Sequence, residues 1–166
     1  MADENQNNQQ EGQVVQQVLN LQRCYLKDAS LEMPHAPAIF VNQPEEQPVV
    51  DIQFEVTPEK LGQEGYYQVA VRGTVTVKAK ETVMFLAECK QAGIFQIAGF
   101  SEQDTQILLN VNCPAIVYPY LRGNVADLIT RSSMPPVHLP EVNFAALYQQ
   151  RLEQEKANAA KGQQQA

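Results

Sequence analysis

Hydrophobic side chains recur at every second position through much of the first hundred residues of this chain, and at every third or fourth position after that. A period of two gives a strand one dry and one wet face. A period near 3.6 gives a helix an apolar stripe. The switch predicts strands first and helices afterwards: an α+β fold, with helices packed on one face of an antiparallel sheet.

In the first predicted strand Leu19, Leu21, Tyr25, Ala29, Leu31 and Met33 share one parity, against Asn20, Gln22, Asp28, Ser30 and Glu32. Arg23, Cys24, Leu26 and Lys27 muddy its middle. In the second, Val50, Ile52, Phe54 and Val56 alternate with Asp51, Gln53, Glu55 and Thr57. In the third, Tyr67, Val69, Val71, Val75 and Val77 alternate with Gln68, Arg72, Thr74, Thr76 and Lys78. The fourth, Thr82 to Gln91, is apolar on both parities. Val83, Phe85, Ala87 and Cys89 form one row; Met84 and Leu86 join Glu88 and Lys90 in the other. A covering loop would account for the second row. A subunit interface is the reading preferred here. Gly65 and the segment Lys78 to Glu81 mark hairpin-length links, hence antiparallel pairing. Pro34 to Pro48 (PHAPAIFVNQPEEQP) holds four prolines, which argues against a helix or central strand and predicts an extended crossover.

Helical signals begin at Ser101, a candidate N-cap followed by Glu102 and Asp104. Ile107, Leu108 and Val111 have helical spacing; Cys113-Pro114 is expected to interrupt it, and Pro119 to break or kink it again. Leu121, Val125, Leu128 and Ile129 resume the period. Asn143 is a candidate N-cap for a last helix with Phe144, Leu147, Tyr148 and Leu152 on one face. Residues 1–13, nearly all Asp, Glu, Asn, Gln and Gly, read as a disordered tail. Residues 14–152 read as one domain. Residues 153–166 read as a polar C-terminal tail whose start can extend the helix.

Composition narrows the function. Of 166 residues 44% are apolar, and twelve scattered Lys and Arg against nineteen Asp and Glu leave a net charge of −7. That excludes the basic patch that nucleic-acid binding needs. The N-terminus shows no secretory signal, and the longest strictly apolar run, Val83 to Ala87, is too short for direct membrane insertion. Cys24, Cys89 and Cys113 are odd in number and widely spaced, which fits buried thiols in a reducing compartment. The two histidines, His35 and His138, sit in proline-rich loops. No metal or cofactor pattern is present, and none is expected: CxxC, HExxH, GxGxxG, GxSxG and phosphate loops are all missing. A cysteine nucleophile, Cys24 or Cys113 with His138, would need a chance tertiary meeting. Binding is the better reading. Ile39, Phe40 and Val41 stand consecutively among prolines, and Phe144, Leu147 and Tyr148 lie on the last helix. Together they can wall a groove for extended apolar peptide, or simply close the core over a sheet edge.

Four segments carry a family resemblance. They are Gln22-Arg23-Cys24-Tyr25-Leu26-Lys27-Asp28 with Ser30, Glu32 and Pro34; Phe85-Leu86-Ala87-Glu88 continuing to Gly93-Ile94-Phe95-Gln96-Ile97-Ala98-Gly99; Cys113-Pro114 to Tyr118-Pro119-Tyr120-Leu121-Arg122; and Val142-Asn143-Phe144-Ala145-Ala146-Leu147-Tyr148. In that order, from Leu21 to Leu152, the chain resembles the SecB protein-export chaperones. The resemblance implies a four-stranded antiparallel sheet with a Greek-key crossover, assembled as a dimer of dimers, a homotetramer. It implies a cytoplasmic, ATP-independent chaperone, not an enzyme, that binds unfolded precursor polypeptides and delivers them to the SecA ATPase. A related possibility is a SecB-like chaperone serving a toxin–antitoxin pair. Asp28, Glu32, Leu86 and Glu88 match family positions that bind the basic, zinc-containing tail of SecA. Ala87, Cys89 and Gln91 match positions at or near subunit contacts. The helical C-terminal segment that also touches the motor holds Arg151 and Lys156 here. The chain has no Trp, so Phe40 carries the aromatic share of the crossover.

Overall fold

The computed structural model describes residues 16–42 and 44–163, with side chains as far as 160. The expected tail at 1–13 lies outside the described residues. Strands β1 (Val18–Glu32), β2 (Val49–Lys60), β3 (Tyr66–Ala79) and β4 (Thr82–Ala98) form one sheet. Its order is β1-β4-β3-β2, with every neighbouring pair antiparallel. Hairpins join β2 to β3 and β3 to β4. The proline-rich crossover carries the chain from β1 at one edge to β2 at the other.

Alternation in β2 and β3 translates directly into faces. Val69, Val71, Val75 and Val77 point into the core with Phe85, Ala87, Cys89, Phe95 and Ile97 of β4. In β1 the single parity expected from Leu19 to Met33 does not hold. Register shifts fall between Leu21 and Arg23 and between Leu26 and Asp28. Each extra residue moves the inward row by one. Cys24 and Leu26 therefore pair with Gly93 and Gln91 on the core side, while Tyr25 pairs with Ala92. Tyr25 sends its hydroxyl to Gln68 on the opposite face.

The crossover also departs from expectation. It contains one helical turn, α1 (Ala38–Val41), with Pro37 at its N-cap. The prolines flank the turn, where a missing N–H costs nothing. Ile39 alone in the turn is buried.

Ser101 caps α2 (Glu102–Ile107) through its hydroxyl, which accepts the Asp104 N–H at 3.1 Å. The predicted interruption at Cys113-Pro114 is instead a widened π turn, Leu108–Asn112, running straight into α3 (Cys113–Thr130). Cys113 N–H reaches back to the Leu108 carbonyl, five residues away. Widening relieves the lost hydrogen bond and the ring clash that a proline brings to an ordinary α turn. Pro119 lies within α3 without ending it.

α3 packs across the inner face of the sheet. Cys113, Val117, Leu121, Val125 and Ile129 form its fully buried stripe. Close approach depends on two strand glycines. A Cβ on Gly93 would stand 2.7 Å from the Phe95 ring and 3.0 Å from Val117; one on Gly73 would stand 3.2 Å from Leu121. Asn143 caps α4 (Phe144–Gln163), accepting the Ala146 N–H at 3.0 Å.

Candidate functional site

Two apolar recesses and one polar face collect the residues singled out in the sequence. The first recess lies between α4 and edge strand β2. Leu147 and Tyr148 line it with Phe54, Val56, Asn110 and Arg151, around a cavity of about 310 Å³. The second lies under the crossover. Ile39 and Phe40 line it with Pro44, Pro48, Met84 and Met134, around about 380 Å³. The recesses share no residue. β2 runs between them: Pro48, just before it, lines the crossover recess, Phe54 and Val56 line the α4 recess, and Val49 and Val50 stand exposed between.

The six groove candidates divide accordingly. Phe40 is 46% exposed and available; Val41, at 80%, stands clear of both recesses. Phe144 is a correction. It is buried in the core, its ring edge-to-face with Tyr118 at 5.5 Å, while Tyr118 meets Phe54 at 5.7 Å. The first turn of α4 plugs the gap between α3 and β2, so its leading aromatic faces inward. Tyr118 is fixed by donating its hydroxyl to the Pro140 carbonyl, and burial pushes its phenol pKa up.

Met84 is a second correction. The register shift between Val77 and Lys78 leaves it unpaired with β3. It turns into the crossover recess and out of the exposed row, so for Met84 cover by a loop replaces the expected interface. Leu86 keeps its outward place.

Asp28, Glu32, Leu86 and Glu88 share the outward face. Cross-strand pairs run Glu32 to Leu86 to Thr76, Ser30 to Glu88 to Thr74, and Asp28 to Lys90 to Arg72. Sequence reasoning missed what holds Glu88. Thr74 donates to one carboxylate oxygen at 2.8 Å, and Arg72 lies 3.9 Å from the other while pairing with Glu55. Asp28 and Glu32 have no ion pair among the described residues and stand exposed. Arg72 and Thr74 could have been found by register alone, since residues opposite on paired strands share a face.

Ala87, Cys89 and Gln91 lie on the inner face, at most 3% exposed, beneath the protomer's own α3. Gln91 accepts from Asn124 of α3 at 2.7 Å and donates to the Cys24 sulfur at 3.3 Å. Within the protomer these side chains are covered by α3 and β1. α3 exposes Ile116 and Tyr120 on its far side. Burial pushes the Cys113 thiol up to about 12 and the Cys89 thiol up to about 11, the latter helped by Asp28 and Glu88. That is opposite to the shift an activated nucleophile requires. The described residues hold no cluster of His, Cys, Asp and Glu fit for a metal, and no helix among them is long and apolar enough to cross a membrane.

Comparison with known proteins agrees with this architecture. A family model described as preprotein translocase subunit SecB matches residues 11–155. The chain belongs to the SecB family. The protein-export protein SecB of Ralstonia nicotianae is 52% identical, over 98% of this chain and 92% of the relative. That of Ralstonia pickettii is 52% identical, over 92% and 86%. Among solved structures, a SecB-like chaperone of Mycobacterium tuberculosis, in complex with an antitoxin peptide, superposes with a TM-score of 0.60. It covers 75% of this chain and 90% of its own at 18% identity, a likeness of fold.

Proposed function

We propose that this SecB-family export chaperone holds unfolded precursors along β2, in the crossover and α4 recesses, and passes them to the SecA ATPase. One observation carries the reading: exposed Phe40 beside the start of β2, and half-buried Leu147 and Tyr148 beside its middle, line apolar recesses. A folded protein has hidden its apolar segments, so slow folders are selected. Each recess contributes a few kcal/mol at most after ordering costs. Repetition of the recesses over a tetramer then multiplies weak contacts on one chain. Nothing in this scheme uses ATP, a metal or a cofactor, and the cytoplasm is where precursors are unfolded before export.

Tetramer assembly as a dimer of dimers has two supports. β1 has a neighbour on one side only, so its other edge is free to pair with a second copy. The stripe of Ile116 and Tyr120 offers α3 an apolar contact. Ala87, Cys89 and Gln91 would then govern assembly through the seating of α3 against β1 and β4. The strand order supports a Greek-key reading, since β1 returns beside β4 after a long connection.

For the handover, Asp28 and Glu32 supply exposed carboxylates, unpaired among the described residues, with Leu86 as apolar contact and Glu88 held between Thr74 and Arg72. Such a face suits a cationic peptide.

Light scattering of a refolding precursor tests the holding activity. The protein should suppress aggregation at about one tetramer per client, and Phe40→Asp should weaken suppression several-fold with native mass unchanged. Unchanged suppression would remove the crossover recess from the scheme. Glu88→Lys should lower affinity for the SecA tail about tenfold at low salt, less at high salt, leaving client holding intact. Salt-independent affinity for the tail would refute an electrostatic dock.

A further inference from the structure

The family resemblance puts Arg151 in the helical segment that touches the motor; in the structure its side chain, 40% exposed, also reaches back to the protomer's own residues. Its guanidinium donates to Asn110 Oδ1 at 2.7 Å and to the Val56 carbonyl at 3.5 Å. It also lies over the Tyr148 ring, 5.4 Å from the centroid. One side chain thus joins α4, the π turn and edge strand β2.

The partner it finds in Asn110 follows from the sequence. Pro114 follows the widened turn, and Asn110 sits in that turn with 3% exposure. Its amide nitrogen is already used, donating to the Gln106 carbonyl at 2.8 Å. The amide oxygen is the end left for α4. Little else seats this stretch of helix. Leu147, Tyr148 and Leu152 are half-buried, and every side chain from Glu153 to Ala160 is exposed. The Arg151 Nε is buried without a hydrogen-bond partner, 3.7 Å from the Glu155 carboxylate. The seat is therefore specific in geometry but not fully satisfied.

We infer that Arg151 is the positioning residue of the α4 recess. It fixes the turns of α4 that carry Leu147 and Tyr148 at a set distance from Phe54 and Val56, and so preorganises the recess for an apolar client segment. A wall already in place spares the client the cost of ordering it. Lysine cannot replace the clamp, because a point charge on a flexible stem does not bridge two acceptors and cover a ring in one pose. This inference rests on reading the recess as a client site.

The test uses the full chain and a short, unstructured fluorescent peptide rich in Phe and Leu. Arg151→Ala should weaken peptide binding about tenfold, and Arg151→Lys should recover only part of the loss. Asn110→Ala should weaken it by no more than that, and the double variant should bind no worse than Arg151→Ala, because the contact that Asn110→Ala removes is already lost with Arg151. Amide exchange in Arg151→Ala should quicken in α4 while β3, β4 and α3 keep their protection. Wild-type affinity in Arg151→Ala, or losses that simply add in the double variant, would overturn the inference. Leu147→Asp separates the two levels. If it weakens binding and Arg151→Ala does not, only the clamp fails. If neither does, the recess itself is not a client site and the clamp falls with it.

Discussion

α3 and α4 are of similar length, eighteen and twenty residues, yet they meet the sheet in opposite ways. α3 buries seven residues and rests on two glycines, one where a Cβ would clash and one where it would crowd Leu121. α4 buries Phe144 and then lies along the sheet edge on half-buried side chains and one guanidinium. The contrast separates two tasks. A helix packed at crystal-like density sets the fold and resists change. A helix held at few points leaves apolar surface for a stranger to use, and its contacts are drawn from the weakly protected end of the molecule.

The largest effect that would sharpen this contrast is a cavity under α3. Leu121 is fully buried against Gly73. Leu121→Ala should cost about 2–5 kcal/mol in denaturant unfolding; a loss near zero would mean that α3 is not the scaffold.

Alkali should act on the same layer. The Cys89 and Cys113 thiols are pushed up to about 11 and about 12, so both stay neutral in the folded chain above the ordinary thiol value of 9.0. An unfolded chain ionises there first. The stability they contribute is complete below pH 9 and declines as pH rises through their folded values, by up to about 1.4 kcal/mol per pH unit for each thiol. Unfolding curves at pH 8 and pH 10.5 measure it, and Cys113→Ala should flatten the decline.

The smallest effect on stability belongs to α4. Tyr148→Ala should shift unfolding by about 1 kcal/mol or less while weakening client binding several-fold. A loss comparable to that of Leu121→Ala would erase the distinction between the two helices.

Residues with one dominant environment were legible in the sequence. The valines of β3 have a single dry face, and period two reads it. Asp28, Glu32, Leu86 and Glu88 fall on one face because their parities survive the bulges. What was hidden is whatever depends on the count of residues, not their kind. Two bulges in β1 send Tyr25 across the sheet, and a third turns Met84 under the crossover; nothing in a run of half-polar residues marks where an extra one sits. Pro114 was visible, but local rules make it a break, and only packing on both sides converts it to a wide turn. Phe144 looked like a groove wall because a helical stripe does not say which end is sealed. Arg151 gave no signal, since its acceptors lie in segments distant along the chain.

The wide turn at Leu108–Asn112 also sets the molecule's phase. An inserted residue rotates every later side chain on the helix by about 100°. A chain lacking one residue there would retain its composition, its caps and its apolar spacing, yet Leu121 would swing away from Gly73 and Val117 from Gly93. Insertions and deletions should thus be far less forgivable in those five positions than exchanges of one side chain for another.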